Sequence, residues 1–305
     1  MIRIRFFWGA ALALTCLACH GAGPRAVVRQ TNYLLESGDS TLEVDPSDGG
    51  RAVALSLAGR NVIAGREDSA EAYGSSFWPS PQSDWGWPPP ASFDKRAWRA
   101  SSNGDALVLE SATDPKLGLS ARQRITAQPQ RSAFRFEFTL QNHGNSARSA
   151  APWQNTRMRP GGLTFFPSHE PMHSDAQHEV APQGGLIWFQ HDPRARTQGE
   201  KFFDDGDEGF LAHLDGDLLF VKTFPDIPKS AQAPKEAEIE LYADGAGQFV
   251  EVEQQGAYAS IPPGGSSTWV VHWAVRRVPP NIRRAPFDAG LATFARTIAA
   301  EIRSD

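Results

Sequence analysis

Glu251 and Glu253 alternate with Val250 and Val252. In an extended chain that period puts Phe249, Glu251 and Glu253 on one face and the valines on the other. Two carboxylates roughly 7 Å apart along a strand suit either the floor of a polar cleft or a solvated strand face. Arg157 and Arg159 alternate in the same way after Trp153. A guanidinium stays charged, so it is a poor general acid but a strong partner for a carboxylate. Residues 77–90 carry Trp78, Trp85 and Trp87 among five prolines, with Gln82, Ser83 and Asp84 between them. Proline fixes φ and restricts the residue before it, so this segment reads as a stiff, extended loop. Rigid rings can stack on the C–H faces of sugars while the polar residues bond hydroxyls. The other readings of the loop are a plug at one end of a β-sandwich and a proline-rich ligand for a partner's groove. So many tryptophans argue against the last.

Other strings of reactive residues carry less. His169-Glu170-Pro171-Met172-His173 has the spacing of a helical zinc-protease motif, but Pro171 falls between the two ligands and opposes a helix. His169, His173 and His178 with Asp175 could form a looser site. We assign no metal and read the segment as a polar loop over a cleft. The run Asp204-Asp205-Gly206-Asp207-Glu208 lacks the twelve-residue calcium pattern and reads as a solvated turn. His143 after Asn142 reads as a strand-end turn. No phosphate-binding glycine loop opens a helix and no G-x-S-x-G elbow is present, so no cofactor is expected.

These residues are positioned by strands. Phe134, Phe136, Phe138 and Leu140 alternate with polar residues, as do Trp269, Val271, Trp273 and Val275; this is the pattern of half-buried strands. Shorter candidates cover 51–57, 106–110, 185–190, 218–224, 237–242 and 248–254. Asn103-Gly104, Asp215-Gly216 and Asp244-Gly245 mark hairpin turns. Pro-rich stretches at 79–90 and 225–234 read as long loops. One helix is expected at the end, with Phe287, Leu291, Phe294, Ile298 and Ile302 at helical spacing after Pro286. No repeat of fixed period and no linker divides the chain. The fold class is therefore all-β, of sandwich or barrel type, with a C-terminal helix.

At the N-terminus, Arg3 and Arg5 precede the apolar, charge-free run from Phe6 to Ala18. It has the length of an export signal and is too short to span a bilayer. Leu14 to Cys19 is similar to a bacterial lipoprotein cleavage box. That resemblance implies a signal peptide over 1–18, lipid on Cys19, a tether over 19–26 and a single domain over 27–305. Cys16 stands where such boxes usually have an aliphatic residue, and it is itself a second candidate. His20, not Asp, follows Cys19, which by the same resemblance implies outer-membrane sorting on the periplasmic side. Loss of Arg3 and Arg5 moves the formal charge from −5 to −7. An acidic chain lacks the basic face that nucleic acid requires. A hydrophobic fraction of 40% excludes a mainly disordered chain.

The aromatic segment 77–90, followed by Pro152-Trp153-Gln154-Asn155-Thr156-Arg157 and Gly161 to Pro167, resembles a family of exported bacterial proteins of unknown function with the galactose-mutarotase-like fold. The resemblance implies a large antiparallel supersandwich that binds carbohydrate. Glu253 with Gln255, followed by the Pro262-Pro263-Gly264 turn, resembles the context of the mutarotase catalytic base. Trp153 to Met158 contains Arg157 but no His, although mutarotases place their acid His in the comparable segment; a second His is also unmatched. Mutarotation needs both a base and an acid. The expectation is therefore a carbohydrate-binding envelope lipoprotein, membrane-attached only through its lipid, that is not a competent mutarotase. Its ligand would be a neutral or acidic glycan, held by Trp78, Gln82, Trp85, Trp87, Trp153, Arg157, Arg159 and Glu251. Two alternatives stay open: a sugar epimerase or lyase with Glu253 as base, and a structural envelope protein whose aromatic loop packs on a partner.

Overall fold

The computed structural model describes residues 27–29, 32–103, 106–168, 179–194 and 198–303. The signal segment 1–18, Cys19 and the tether to residue 26, and the loop bearing His169, His173 and His178 lie outside the described residues.

Each expected run of alternation contains a strand. Ala133–Asn142 pairs antiparallel with Ser266–Arg277, setting Phe134 opposite Trp273 and Phe138 opposite Trp269. Among the described residues the strands form two antiparallel sheets. The first runs, in spatial order, Val27–Arg29, Asn32–Ser37, Ser40–Asp45, Arg51–Leu57, Ser75–Ser80, Arg148–Met158, Val250–Gln255, Ile239–Ala243 and Glu200–Asp204. The second centres on Leu218–Thr223, Ser266–Arg277, Ala133–Asn142 and Leu119–Gln128.

The core lies between the sheets. Phe77 of the first sheet stacks on Phe138 of the second with centroids 4.4 Å apart, and Met158, Val250 and Val252 bury beside them. Alternation then turns Glu251 and Glu253 to the opposite face of the first sheet. A buried polar bridge crosses the core. Lys222 Nζ donates to the Val252 carbonyl at 2.8 Å and to Gln254 Oε1 at 2.6 Å. Gln154 Oε1 accepts from both Gln254 Nε2 and Trp273 Nε1. Burial pulls the Lys222 ammonium well below its ordinary proton affinity.

The outer face of the second sheet is covered by the helix Ala289–Arg303, whose Leu291, Ala295, Ile298 and Ile302 pack on Phe165, Ala212 and Val221. The helix begins later than its apolar spacing predicts. Asp288 Oδ1 accepts from the Leu291 N–H at 2.8 Å and caps the first turn. Phe287 stays outside the helix, edge-on to Trp188, so it belongs to the cap and not to the apolar stripe. The acidic run 204–208 is also not wholly solvated. Asp204 ends a strand, is buried, and accepts from Ser168 Oγ at 2.6 Å, while Glu208 is held by Arg296. Residues 225–234 contain no strand, as expected, and His143 sits at a turn against Ser120 Oγ.

Candidate functional site

Five neighbouring strands of the first sheet present one set of side chains away from the core. Register places Trp78 beside Trp153. A second row runs Ser76, Asn155, Glu253, Glu240 and Phe203. A third runs Arg157, Glu251, Tyr242 and Lys201. The segment after Ser80 and the short helix Ala91–Asp94 stand at one side of this surface. Together they enclose a cavity of about 490 Å³.

Trp78, Gln82, Trp87, Trp153, Arg157, Glu251 and Glu253 all line that cavity. Their positions differ from those of one continuous aromatic loop. Ser75–Ser80 is a strand, and Trp78 is buried on it beside the equally buried Trp153, edge to face at 5.3 Å. Trp87 alone stands at the rim, 72% exposed.

Two expected residues are elsewhere. Trp85 turns away from the cavity. Its indole N–H donates to the Pro79 carbonyl at 2.7 Å, and its ring lies 6.2 Å from that of Trp153, so it buttresses the wall. Arg159 follows the end of its strand at Met158, where alternation no longer applies. It bonds the Asn61 carbonyl and pairs with Asp68 at 3.4 Å, and it is not part of the cavity lining.

The charges on the cavity wall come in pairs. Arg157, only 4% exposed, donates from Nε to Glu251 Oε1 at 2.8 Å and from Nη1 to Ser76 Oγ at 2.6 Å, and lies over the Trp78 ring. Arg51 donates to the Tyr73 carbonyl and to Asp94 Oδ1, which also accepts from Trp78 Nε1 at 3.0 Å. Lys201 pairs with Glu240.

The two central carboxyls are perturbed. Burial, reinforced by the charges of Glu240 and Glu251, pushes Glu253 well above the usual carboxylate range. Its Oε2 accepts from Trp153 Nε1 at 2.7 Å. Glu240 is pushed up to about 7, mainly by burial and against the pull of Lys201. Both shifts run the same way, favouring the protonated carboxyl over the carboxylate. Among the described residues no three His, Cys, Asp or Glu side chains are grouped to hold a metal.

Sequence reasoning missed Arg51, Asp94, Asn155, Lys201, Glu240 and Tyr242. Asn155 carried a usable signal, being two residues from both Trp153 and Arg157 on one strand face. Glu240 alternates with Ile239 and Leu241, but its place beside Glu253 depends on hairpin register.

A family described as a domain of unknown function, DUF4380, matches residues 31–276. Among curated proteins, none matches the chain in sequence. In structure the chain is similar to a galactose mutarotase-like protein from Clostridium acetobutylicum, with 9% identity over 83% of this chain and 98% of that one and a TM-score of 0.54. It is also similar to a galactose mutarotase-like protein from Lactobacillus casei, with 9% identity over 80% of this chain and all of that one and a TM-score of 0.55. A third similar structure is a protein from Synechocystis sp. PCC 6803, with 14% identity over 86% of this chain and all of that one and a TM-score of 0.56. At these identities the likeness is one of fold: the chain has the galactose-mutarotase-like fold.

Proposed function

The chain belongs to the DUF4380 family, and from that premise we propose that it is a carbohydrate-binding protein of the bacterial cell envelope. The observation that carries this reading is the cavity in which Trp78, Trp153 and Trp87 meet Asn155, Arg157, Glu251 and Glu253. Flat indole walls above a polar floor match a sugar ring, which has apolar faces and a hydroxylated edge. Attachment to the outer membrane through a lipid on Cys19 is supported by Arg3, Arg5 and the apolar run to Ala18. Labelling with a palmitate analogue, compared between wild type and Cys19→Ser, tests that anchor.

Calorimetry and tryptophan fluorescence against a panel of neutral and acidic monosaccharides test the binding. A saturable response from at least one sugar is expected. A flat response across the panel overturns the reading.

A second reading, an epimerase or lyase in which Glu253 moves the proton, is favoured by the Glu240–Glu253 pair. Burial brings the proton affinity of Glu240 to about 7, and a group that titrates near the working pH suits proton transfer. Polarimetry on glucose, galactose and uronic acids separates the two readings. Catalysis abolished by Glu253→Gln supports the enzyme, whereas no rotation change supports a binding protein.

A further inference from the structure

We propose that Asn155 is the residue by which the cavity reads its ligand, gripping two adjacent hydroxyls of a polyhydroxylated ring. This rests on the carbohydrate reading above and adds the contact that sets its specificity. Asn155 is 1% exposed, lines the cavity, and has no hydrogen-bond partner for either Oδ1 or Nδ2. Other buried orphan atoms, such as Glu240 Oε2 and Gln255 Oε1, belong to side chains whose second atom is bonded. In Asn155 the whole amide edge is unpaired.

The amide's two polar cross-strand neighbours each have another partner, and neither bonds it. Ser76, opposite it on one adjacent strand, accepts from Arg157. Glu253, opposite on the other, accepts from Trp153. The carbonyl oxygen therefore wants a donor and the NH₂ wants an acceptor, side by side. A carboxylate supplies acceptors only, and an ammonium donors only. A hydroxyl supplies both, and two neighbouring ring hydroxyls match an amide edge twice over. The surrounding charges point the same way. Arg157 is engaged by Glu251 and Arg51 by Asp94, so neither stands ready for a ligand carboxylate. Trp153, two residues earlier on the same strand face, flanks the position with an indole.

Leaving a buried donor and acceptor unpaired destabilises the fold, a cost that proteins accept at sites used for function. Asn155→Leu, nearly isosteric, and Asn155→Ala are compared with wild type in two measurements. The first is thermal melting without sugar; the second is fluorescence titration with D-glucose, D-galactose, D-mannose and their monodeoxy analogues.

Both variants are expected to melt no lower than wild type, with Leu higher by about 2 °C. Both should lose at least about tenfold in affinity for whichever sugar wild type binds, which is about 1.4 kcal/mol. The monodeoxy analogue lacking a gripped hydroxyl should bind wild type and variants alike. A fall of several degrees in both variants overturns the proposal, because the amide would then be paired within the fold. So does undiminished affinity in the variants, which leaves carbohydrate binding itself intact. If no sugar on the panel binds wild type, the carbohydrate reading fails first, and this assignment falls with it.

Discussion

Replacing Glu240 by Gln tests the electrostatics of the cavity floor. Glu240 is buried beside Glu253, and its proton affinity in the fold lies near 7, against an ordinary 4.5. A carboxyl whose folded value is raised gives stability that is fully present below about 4.5 and is lost as pH rises through the folded value. At 1.36 kcal/mol per pH unit, the interval from 4.5 to about 7 is worth about 3 kcal/mol. Gln keeps the shape of the protonated acid and cannot ionise.

At pH 4.5 the variant should match wild type to within about 0.5 kcal/mol. As pH rises to 8 it should become the more stable protein by up to about 3 kcal/mol. Loss of the ion pair with Lys201 is already contained in that figure, because Lys201 opposes the upward shift. Losing the Glu240 charge also removes one of the influences that raise Glu253, which adds to the gain in the same direction. Urea unfolding at pH 4.5, 6 and 8, followed by far-UV circular dichroism, measures the gap. A difference that stays constant with pH, or a variant that is weaker at pH 8, refutes the reasoning.

Trp87→Ala should leave unfolding stability within about 0.5 kcal/mol, because the ring is mostly exposed, yet weaken sugar binding by about tenfold or more in a fluorescence titration. Arg157→Met strips Glu251 and Ser76 of their partner and should cost about 3–5 kcal/mol in a denaturant melt. Arg159→Ala, outside the cavity, should change sugar affinity by less than about twofold and stability by no more than about 1 kcal/mol; a larger loss of affinity would show that the cavity extends further than its described lining.

Alternation made much of this architecture legible in advance, because a sheet that buries one face writes its period into the chain. Phe134 to Leu140 and Trp269 to Val275 are strands for that reason. The same period put Glu251 and Glu253 on one face opposite Val250 and Val252. It failed where backbone chemistry obscured it. Pro79 reads as a loop residue, yet it sits in a strand, opposite Pro152 of the neighbouring strand. In antiparallel pairs, alternate residues turn their N–H groups away from the partner strand, so two opposed prolines cost that ladder no bond. Trp85 lies just past a short 3₁₀ turn, Gln82–Asp84, where neither period sets the side of a ring. Alternation extended to Arg159 failed because the strand stops at Met158. Arg51, Asp94 and Lys201 reach the cavity from distant parts of the chain, through sheet order and loop placement. No local spacing encodes that, and the hairpin that sets Glu240 beside Glu253 is equally silent.

The polar bridge through the core has a consequence for how this surface can diverge among relatives. Lys222 belongs to the second sheet but spends its ammonium bonds on Gln254 and on the Val252 carbonyl, immediately behind Glu253. Gln254 in turn holds Gln154, between Trp153 and Asn155. Substituting Gln254 alone strands a lysine in apolar surroundings, and substituting Lys222 alone strands an amide. Drift at one position must therefore wait for drift at the other. The strands that carry the cavity floor are locked to their backing, while the rim around Trp87 has no such tether and is free to diversify.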